Sequence, residues 1–410
     1  MSAVDAAKAP SPRAGAGDFV HACPACGSGS LSVFHEQRAI PVHSCRLVDT
    51  REEALAFPRG DLRLAFCADC GFIVNTAYEP ELQDYGVAYE ETQGFSPLFR
   101  DFARRLALRW IERYDLRDKD VLEIGCGKGE FLTLMCELGP NRGIGIDPAF
   151  VEERLESEAA GRMRFFAELY SENHADLPAD AVVCRHTLEH IGRVAEFMAL
   201  IRGTIGDRLD TVVLFDLPDV VRVLREPAFW DVYYEHCSYF SPGSLARLFR
   251  RTGFDVLALE RDYDDQYLVL EARPSDDTHH VSLPLEESPE ELAEDVRRFS
   301  RAFEEATAGW RAVLADARAN GRRVAIWGAG SKGVAFLTTL AGGDEVAYAV
   351  DINPFKQRKF LAGTGHEVLA PEDLPGAPPD LVIAMNDVYM PEIRARLDAL
   401  GLADSELISV

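Results

Sequence analysis

No apolar run in this chain approaches the length needed to cross a bilayer, so no transmembrane helix is expected. Residues 1–18 are rich in Ala, Pro, Ser and Gly and lack the basic-then-apolar layout of a secretory signal. They read as a disordered leader, and the protein as cytoplasmic. Positive charge is also short: 43 Lys and Arg stand against 68 Asp and Glu, for a net charge of −25, with no long basic block. Such a chain repels nucleic acid, which argues against a DNA or RNA substrate and for a small molecule. Nine cysteines in 410 residues are too few for a secreted disulfide framework. Five of them, Cys45, Cys126, Cys136, Cys184 and Cys237, are scattered and read mostly as small buried residues. Nothing implies an obligate protein partner.

The length predicts two or three domains. Residues 19–85 are rich in Cys, His and turn formers. Residues 86–275 open with a helical pattern, with Phe99, Phe102, Leu106 and Trp110 recurring at three- and four-residue spacing. Strand and helix signals then alternate, with strands expected at Gly143–Ile146, Ala181–Cys184, Thr211–Phe215 and Tyr267–Glu271. That rhythm predicts a doubly wound α/β domain. Residues 276–320 form a charged amphipathic connector of one or two helices, carrying Leu292, Val296, Phe299, Phe303 and Trp310. Residues 321–410 repeat the strand–glycine–helix pattern and predict a second, smaller α/β domain.

Cys23-Pro-Ala-Cys26-Gly and Cys67-Ala-Asp-Cys70-Gly are two CxxC knuckles. A two-residue spacer lets both thiolates face one tetrahedral ion, and the glycine permits the tight turn. One pair alone would suit redox chemistry; two, each followed by Gly, point to structural zinc, or to a knuckle that has lost its metal. Four sulfur ligands leave no open position for catalysis. The segment has a thin apolar core, so the metal is expected to supply much of its folding free energy.

Val121-Leu-Glu123-Ile-Gly125-Cys-Gly127-Lys-Gly129 is a buried strand running into a glycine-rich turn and a helix. Asp147 ends the next strand, at the place where a ribose hydroxyl is gripped. Glu123 suits S-adenosylmethionine (SAM) better than a dinucleotide, because SAM has no pyrophosphate and carries positive ammonium and sulfonium groups. An NAD-type turn is the alternative. The run Val121–Pro148 resembles the first motif and following strand of class I SAM-dependent methyltransferases. The resemblance implies that Gly125, Gly127 and Gly129 face the methionine moiety, Asp147 the ribose and, by a looser match, Glu168 the adenine.

Two later clusters carry chemistry. Cys184-Arg-His-Thr-Leu-Glu-His190-Ile191 follows a strand end, where open α/β sheets bind ligands. Trp230-Asp-Val-Tyr233-Tyr234-Glu235-His236-Cys-Ser-Tyr239-Phe240 packs aromatics, a carboxylate and an imidazole together. Methyl transfer to carbon needs a base beside a carbonyl and a donor for the oxyanion. Histidine titrates near neutrality and suits the first task; a tyrosine hydroxyl suits the second, and Glu235 would orient its neighbours.

With these motifs in order, the chain resembles the sugar C-methyltransferases that act at C3 of nucleotide-linked 4-keto-deoxysugars. The likeness runs over essentially the full length. It implies an N-terminal zinc-binding module, a class I SAM methyltransferase Rossmann-like domain and a C-terminal second Rossmann-like domain. It also implies that His236 is the base, that Tyr233 assists, and that Glu235, His190 and Tyr89 complete the catalytic set. Tyr234 replaces a family histidine, and the serine-rich run after Tyr89 is replaced by Glu90-Glu-Thr-Gln-Gly-Phe-Ser.

Near the C-terminus, Gly328-Ala-Gly330-Ser331-Lys332-Gly333 is a dinucleotide-type turn, with Asp351 ending the next strand. Its amides and helix N-terminus favour a pyrophosphate, and Lys332, Lys356 and Arg358 add cations. Three readings stay open here: a site for the nucleotide of the sugar substrate, a scaffold that closes the cleft, or an NAD(P) site. O- or N-methyl transfer, a non-catalytic nucleotide-sugar-binding protein and an NAD-dependent oxidoreductase are the corresponding alternatives for function.

Overall fold

Three sheets organise the chain in a computed structural model that describes residues 21–276, 281–340 and 345–410. The leader expected at residues 1–18 lies outside the described residues. The central sheet has seven strands, in the order Phe254–Asp262, Tyr267–Pro274, Val212–Pro218, Ala181–Arg185, Asp120–Ile124, Arg142–Ile146 and Met163–Phe166. The last five are parallel; Tyr267–Pro274 runs antiparallel to both of its neighbours. The crossover beside Asp120–Ile124 puts the strand ends that carry Gly125, Asp147 and Arg185 on one edge, where doubly wound sheets bind ligands.

Local chemistry explains the flanking helices. Ser96 caps Pro97–Tyr114 by accepting from the Phe99 N–H, and Phe99, Phe102, Leu106 and Trp110 are buried on one face. The helix is pinned to the sheet through Glu271, which accepts from Trp110 Nε1 at 3.0 Å, Arg113 Nη1 at 2.6 Å and Tyr114 Oη at 2.6 Å. The connector contains one long helix, Pro289–Ala319, opened by a capping box between Ser288 and Glu291. No helix among the described residues is long and apolar enough to cross a membrane.

The C-terminal sheet is parallel throughout, in the order Val368–Leu369, Val346–Val350, Val324–Trp327, Leu381–Ala384 and Glu406–Ser409. The N-terminal sheet is antiparallel: Leu31–Pro41, Arg59–Cys67, Ile73–Asn75 and, from far along the chain, Ser238–Tyr239. Its core is not thin and self-contained, as the sequence suggests. Leu62, Leu64 and Ile73 pack with Val221, Leu292 and Phe299, while Cys67, Phe72 and Val74 join the core of the central sheet. Residues distant in sequence supply the missing apolar surface, which composition within 19–85 cannot reveal.

Candidate active site

The two glycine turns open onto one continuous cleft of about 1420 Å³. That exceeds the roughly 300–1,000 Å³ of an ordinary small-ligand pocket and leaves room for two ligands side by side. On the central-sheet side, Gly125 and Gly127 hold φ of +71° and +53°. A Cβ on Gly125 would lie 1.9 Å from Thr187 Oγ1, so only glycine serves here. Asp147 holds the turn open by accepting from the Gly127 N–H at 2.8 Å and the Ala149 N–H at 2.7 Å.

Glu123 is 2% exposed, lines the cleft and has one oxygen with no hydrogen-bond partner. Burial, partly offset by Arg185, pushes its carboxyl up to about 8. Glu91 also lines the cleft; its Oε1 would lie 2.5 Å from a Cβ on Gly127, and burial raises it to about 7. An orphaned carboxylate and a bare glycine cradle fit the cationic methionine end of SAM, whose ammonium would satisfy the carboxylates. Glu168 stands at the exposed rim of the same cleft and accepts from His174 Nε2 at 3.0 Å. Lys128, inside the turn, donates to the carbonyls of Tyr89 at 2.8 Å and Ala149 at 2.7 Å, so it ties the segment before the central domain to the turn.

The aromatic motif divides between two faces. Tyr233 and His236 face the cleft and share a hydrogen bond of 3.0 Å. Burial, followed by the charges of His190, His186 and Lys332, keeps the His236 pKa well below its usual value, so its imidazole is neutral at physiological pH. Burial pushes Tyr233 well above the usual tyrosine range, so it keeps its proton. The rings of His190 and His236 lie 4.9 Å apart, and His190 Nδ1 is 3.1 Å from Tyr85 Oη. Tyr89 lines the cleft as well, packed edge-on against Tyr85, which the sequence reading did not single out. The segment is not helical, so the four-residue spacing of Tyr85 from Tyr89 gives no sign of the contact.

Glu235 and Tyr234 point the other way. Glu235 is buried off the cleft, where it accepts from His43 Nδ1 at 2.7 Å, the Ser44 N–H at 3.0 Å and Ser44 Oγ at 2.7 Å. Burial would raise its pKa, but these bonds and the charge of His43 outweigh it and hold the carboxyl below its ordinary value. The role expected for Glu235 beside the base is therefore corrected: it straps the motif to the N-terminal sheet. Tyr234 Oη accepts from the Glu79 N–H at 2.8 Å, and its ring lies over Gly60, where a Cβ would come within 2.3 Å.

Across the cleft, Gly328, Gly330, Ser331, Lys332 and Gly333 line the opposite wall. A Cβ on Gly333 would lie 2.3 Å from the Gly328 carbonyl, so glycine lets the helix Ser331–Leu340 sit tight on its turn. Lys332 Nζ donates to Asp231 at 2.8 Å, and burial lowers its pKa. Lys356 Nζ lies 3.4 Å from where a Gly330 Cβ would be and 3.6 Å from Asp351 Oδ2. Burial would lower Lys356, but Asp351, Cys45 and Glu90 outweigh it and raise the pKa. Arg358 instead pairs with Asp373 at the surface and lies outside this wall.

Cys23, Cys26, Cys67 and Cys70 converge, with all four sulfurs within 4.8 Å of one another and two pairs at 3.6 Å. Tetrahedral zinc with Zn–S bonds of about 2.3 Å requires sulfurs about 3.8 Å apart, so the cluster fits that ion. The shared Cys23–Cys70 hydrogen bond pulls Cys23 down and pushes Cys70 up, and burial raises Cys67, so an ion binding here would displace protons from the cluster.

Comparison with known proteins agrees with this arrangement. Residues 98–259 match a family profile described as a methyltransferase domain, and residues 277–410 one described as a C-methyltransferase C-terminal domain. The C-methyltransferase NovU of Streptomyces niveus is 30% identical over 306 residues, covering 71% of this chain and 72% of the relative. The ribosomal protein L11 methyltransferase of Haemophilus influenzae is 37% identical over 84 residues, only 19% of this chain and 28% of that enzyme. Among solved structures, the 1,6-didemethyltoxoflavin-N1-methyltransferase of Burkholderia thailandensis covers 44% of this chain and 82% of its own at 20% identity, with a TM-score of 0.33, too low to carry weight. From the class I glycine turn, the paired domains and the long match to NovU, the chain belongs to the SAM-dependent C-methyltransferase family whose motifs it resembles.

Proposed function

We propose that this methyltransferase forms a carbon–carbon bond next to the ketone of a nucleoside-diphosphate-linked keto-deoxysugar. The observation that carries the reading is the shared cleft: a SAM turn on one wall, a pyrophosphate-type turn on the other, and His236, Tyr233 and His190 between them. SAM, when bound, supplies an electrophilic methyl group. The protein's own part is to make a nucleophile of the sugar carbon. Neutral His236 removes the proton beside the ketone, and protonated Tyr233, with His190, donates to the enolate oxygen. Gly328 to Gly333 and Lys356 hold the diphosphate. The net charge of −25 repels nucleic acid, and only the local cations of this wall offset it for a small anionic substrate. The four-cysteine cluster holds structural zinc.

Mass spectrometry of turnover against a panel of nucleotide-linked 4-keto sugars tests the reading directly. One member is expected to gain a single methyl group, and no turnover with any member, while SAM binds, would contradict it. Lys356→Ala tests the diphosphate wall. A charged hydrogen bond is worth about 1.5–3 kcal/mol, so the substrate KM is expected to rise about 10- to 100-fold with SAM affinity unchanged. An unchanged KM would move the nucleotide elsewhere.

A further inference from the structure

Glu189 is buried to 2% exposure, and neither of its carboxylate oxygens has a hydrogen-bond partner among the described residues. It sits on the turn Leu188–His190, lines the cleft, and places an oxygen within 4.8 Å of a ring nitrogen of both His190 and His236. A carboxylate with no hydrogen bond at such depth, with only the His186 ring 3.6 Å from one oxygen, is costly unless a charge arrives to meet it. Glu235 is turned away to His43 and Ser44, and Asp231 is engaged by Lys332, whereas Glu189 stands beside the paired histidines without a hydrogen bond. We infer that Glu189 is the positioning residue for His236, holding its ring and receiving the positive charge it gains when it takes the substrate proton. This rests on the enolate reading above.

The proton balance is simple. The C–H bond beside the ketone breaks, its electron pair stays on the sugar as the enolate, and its proton forms an N–H bond on His236. The carboxylate of Glu189 then lies beside the imidazolium and offsets its charge, as the aspartate of a Ser-His-Asp triad does for its histidine. The surroundings are consistent. His186 Nδ1 lies 3.6 Å from Glu189 Oε1 and its Nε2 3.5 Å from Asp216, so His186 separates the two carboxylates. Cys184 and Cys237 pack nearby, with burial raising both thiols, so they remain neutral. Lys332 acts on His236 from the C-terminal wall, and its own charge is met by Asp231.

Glu189→Gln keeps the shape and removes the charge, and Glu189→Asp restores the charge at shorter reach. A neighbouring carboxylate favours the protonated imidazole, so its removal lowers the His236 pKa. In Glu189→Gln the acid limb of kcat/KM is expected to move to lower pH. Both kcat and deuterium exchange beside the ketone are expected to fall at least about tenfold as the base weakens. SAM affinity and melting temperature should stay near wild type, and Glu189→Asp should recover part of the rate. An unmoved acid limb with unchanged exchange would overturn the inference. So would a metal equivalent other than zinc that is lost in Glu189→Gln, since the carboxylate would then be a ligand. His236→Asn separates the two levels. If that variant keeps exchange, the enolate reading fails and takes this one with it. If it loses exchange while Glu189→Gln behaves as wild type, only the role of Glu189 falls.

Discussion

Replacing His236 with Asn is expected to lower methyl transfer by about 10²–10⁴-fold, the usual worth of a positioned general base. It should also abolish exchange of solvent deuterium into the carbon beside the ketone. SAM affinity should not change, because the glycine turn proposed to hold SAM, Gly125 to Gly129 with Asp147, lies on a different strand pair. Exchange is the sharper readout, since it reports proton removal without any methyl donor. His236 is held by Tyr233 at 3.0 Å on the wall between the two glycine turns, and its low pKa keeps it neutral at working pH. Equal loss of SAM binding in the variant would instead make His236 a packing residue.

Removal of the metal is expected to have the second-largest effect. Cys67→Ser, or chelation, should release zinc, lower the melting temperature by at least about 10 °C and abolish turnover. Metal binding in small four-ligand sites contributes roughly 10–16 kcal/mol of folding free energy, comparable with the whole stability of a domain. The loss would not stay in the N-terminal sheet. Cys67 ends the strand that pairs with Ile73–Asn75, and Ile73 and Val74 pair in turn with Tyr239 and Ser238, directly after the His236–Cys237 step. Arg247 also donates to the Cys70 carbonyl at 2.9 Å, tying the knuckle to a helix of the central domain. A zinc ion held here would therefore steady His236 through three strands, at a distance from the cleft. A metal-free variant with wild-type melting and activity would contradict this.

Some of this was legible in the sequence because it is local. The strand–glycine–helix runs at Val121 and at Val324 are contiguous, and periodicity with glycine chemistry is enough to read them. The buried face of Pro97–Tyr114 followed from residue spacing in the same way. What could not be read depends on residues far apart. The fourth strand of the N-terminal sheet comes from residues 238–239, and no window around the cysteines contains them. Nor does residue type decide which side of the Tyr233–His236 run faces the cleft: Glu235 is drawn away by His43 and Ser44, about 190 positions earlier in the chain. Glu189 lies in the run that ends at His190, and its burial without a hydrogen bond, which the sequence cannot show, is what marks it.

If His236 deprotonates the acceptor, the methyl group is joined to that carbon. NMR of product formed with SAM labelled by carbon-13 in its methyl group, on a carbon-13-labelled keto-sugar substrate, tests it most directly. A one-bond carbon–carbon coupling between the methyl and the carbon adjacent to the ketone is expected. A methyl resonance without that coupling, attached through oxygen or nitrogen, would contradict it.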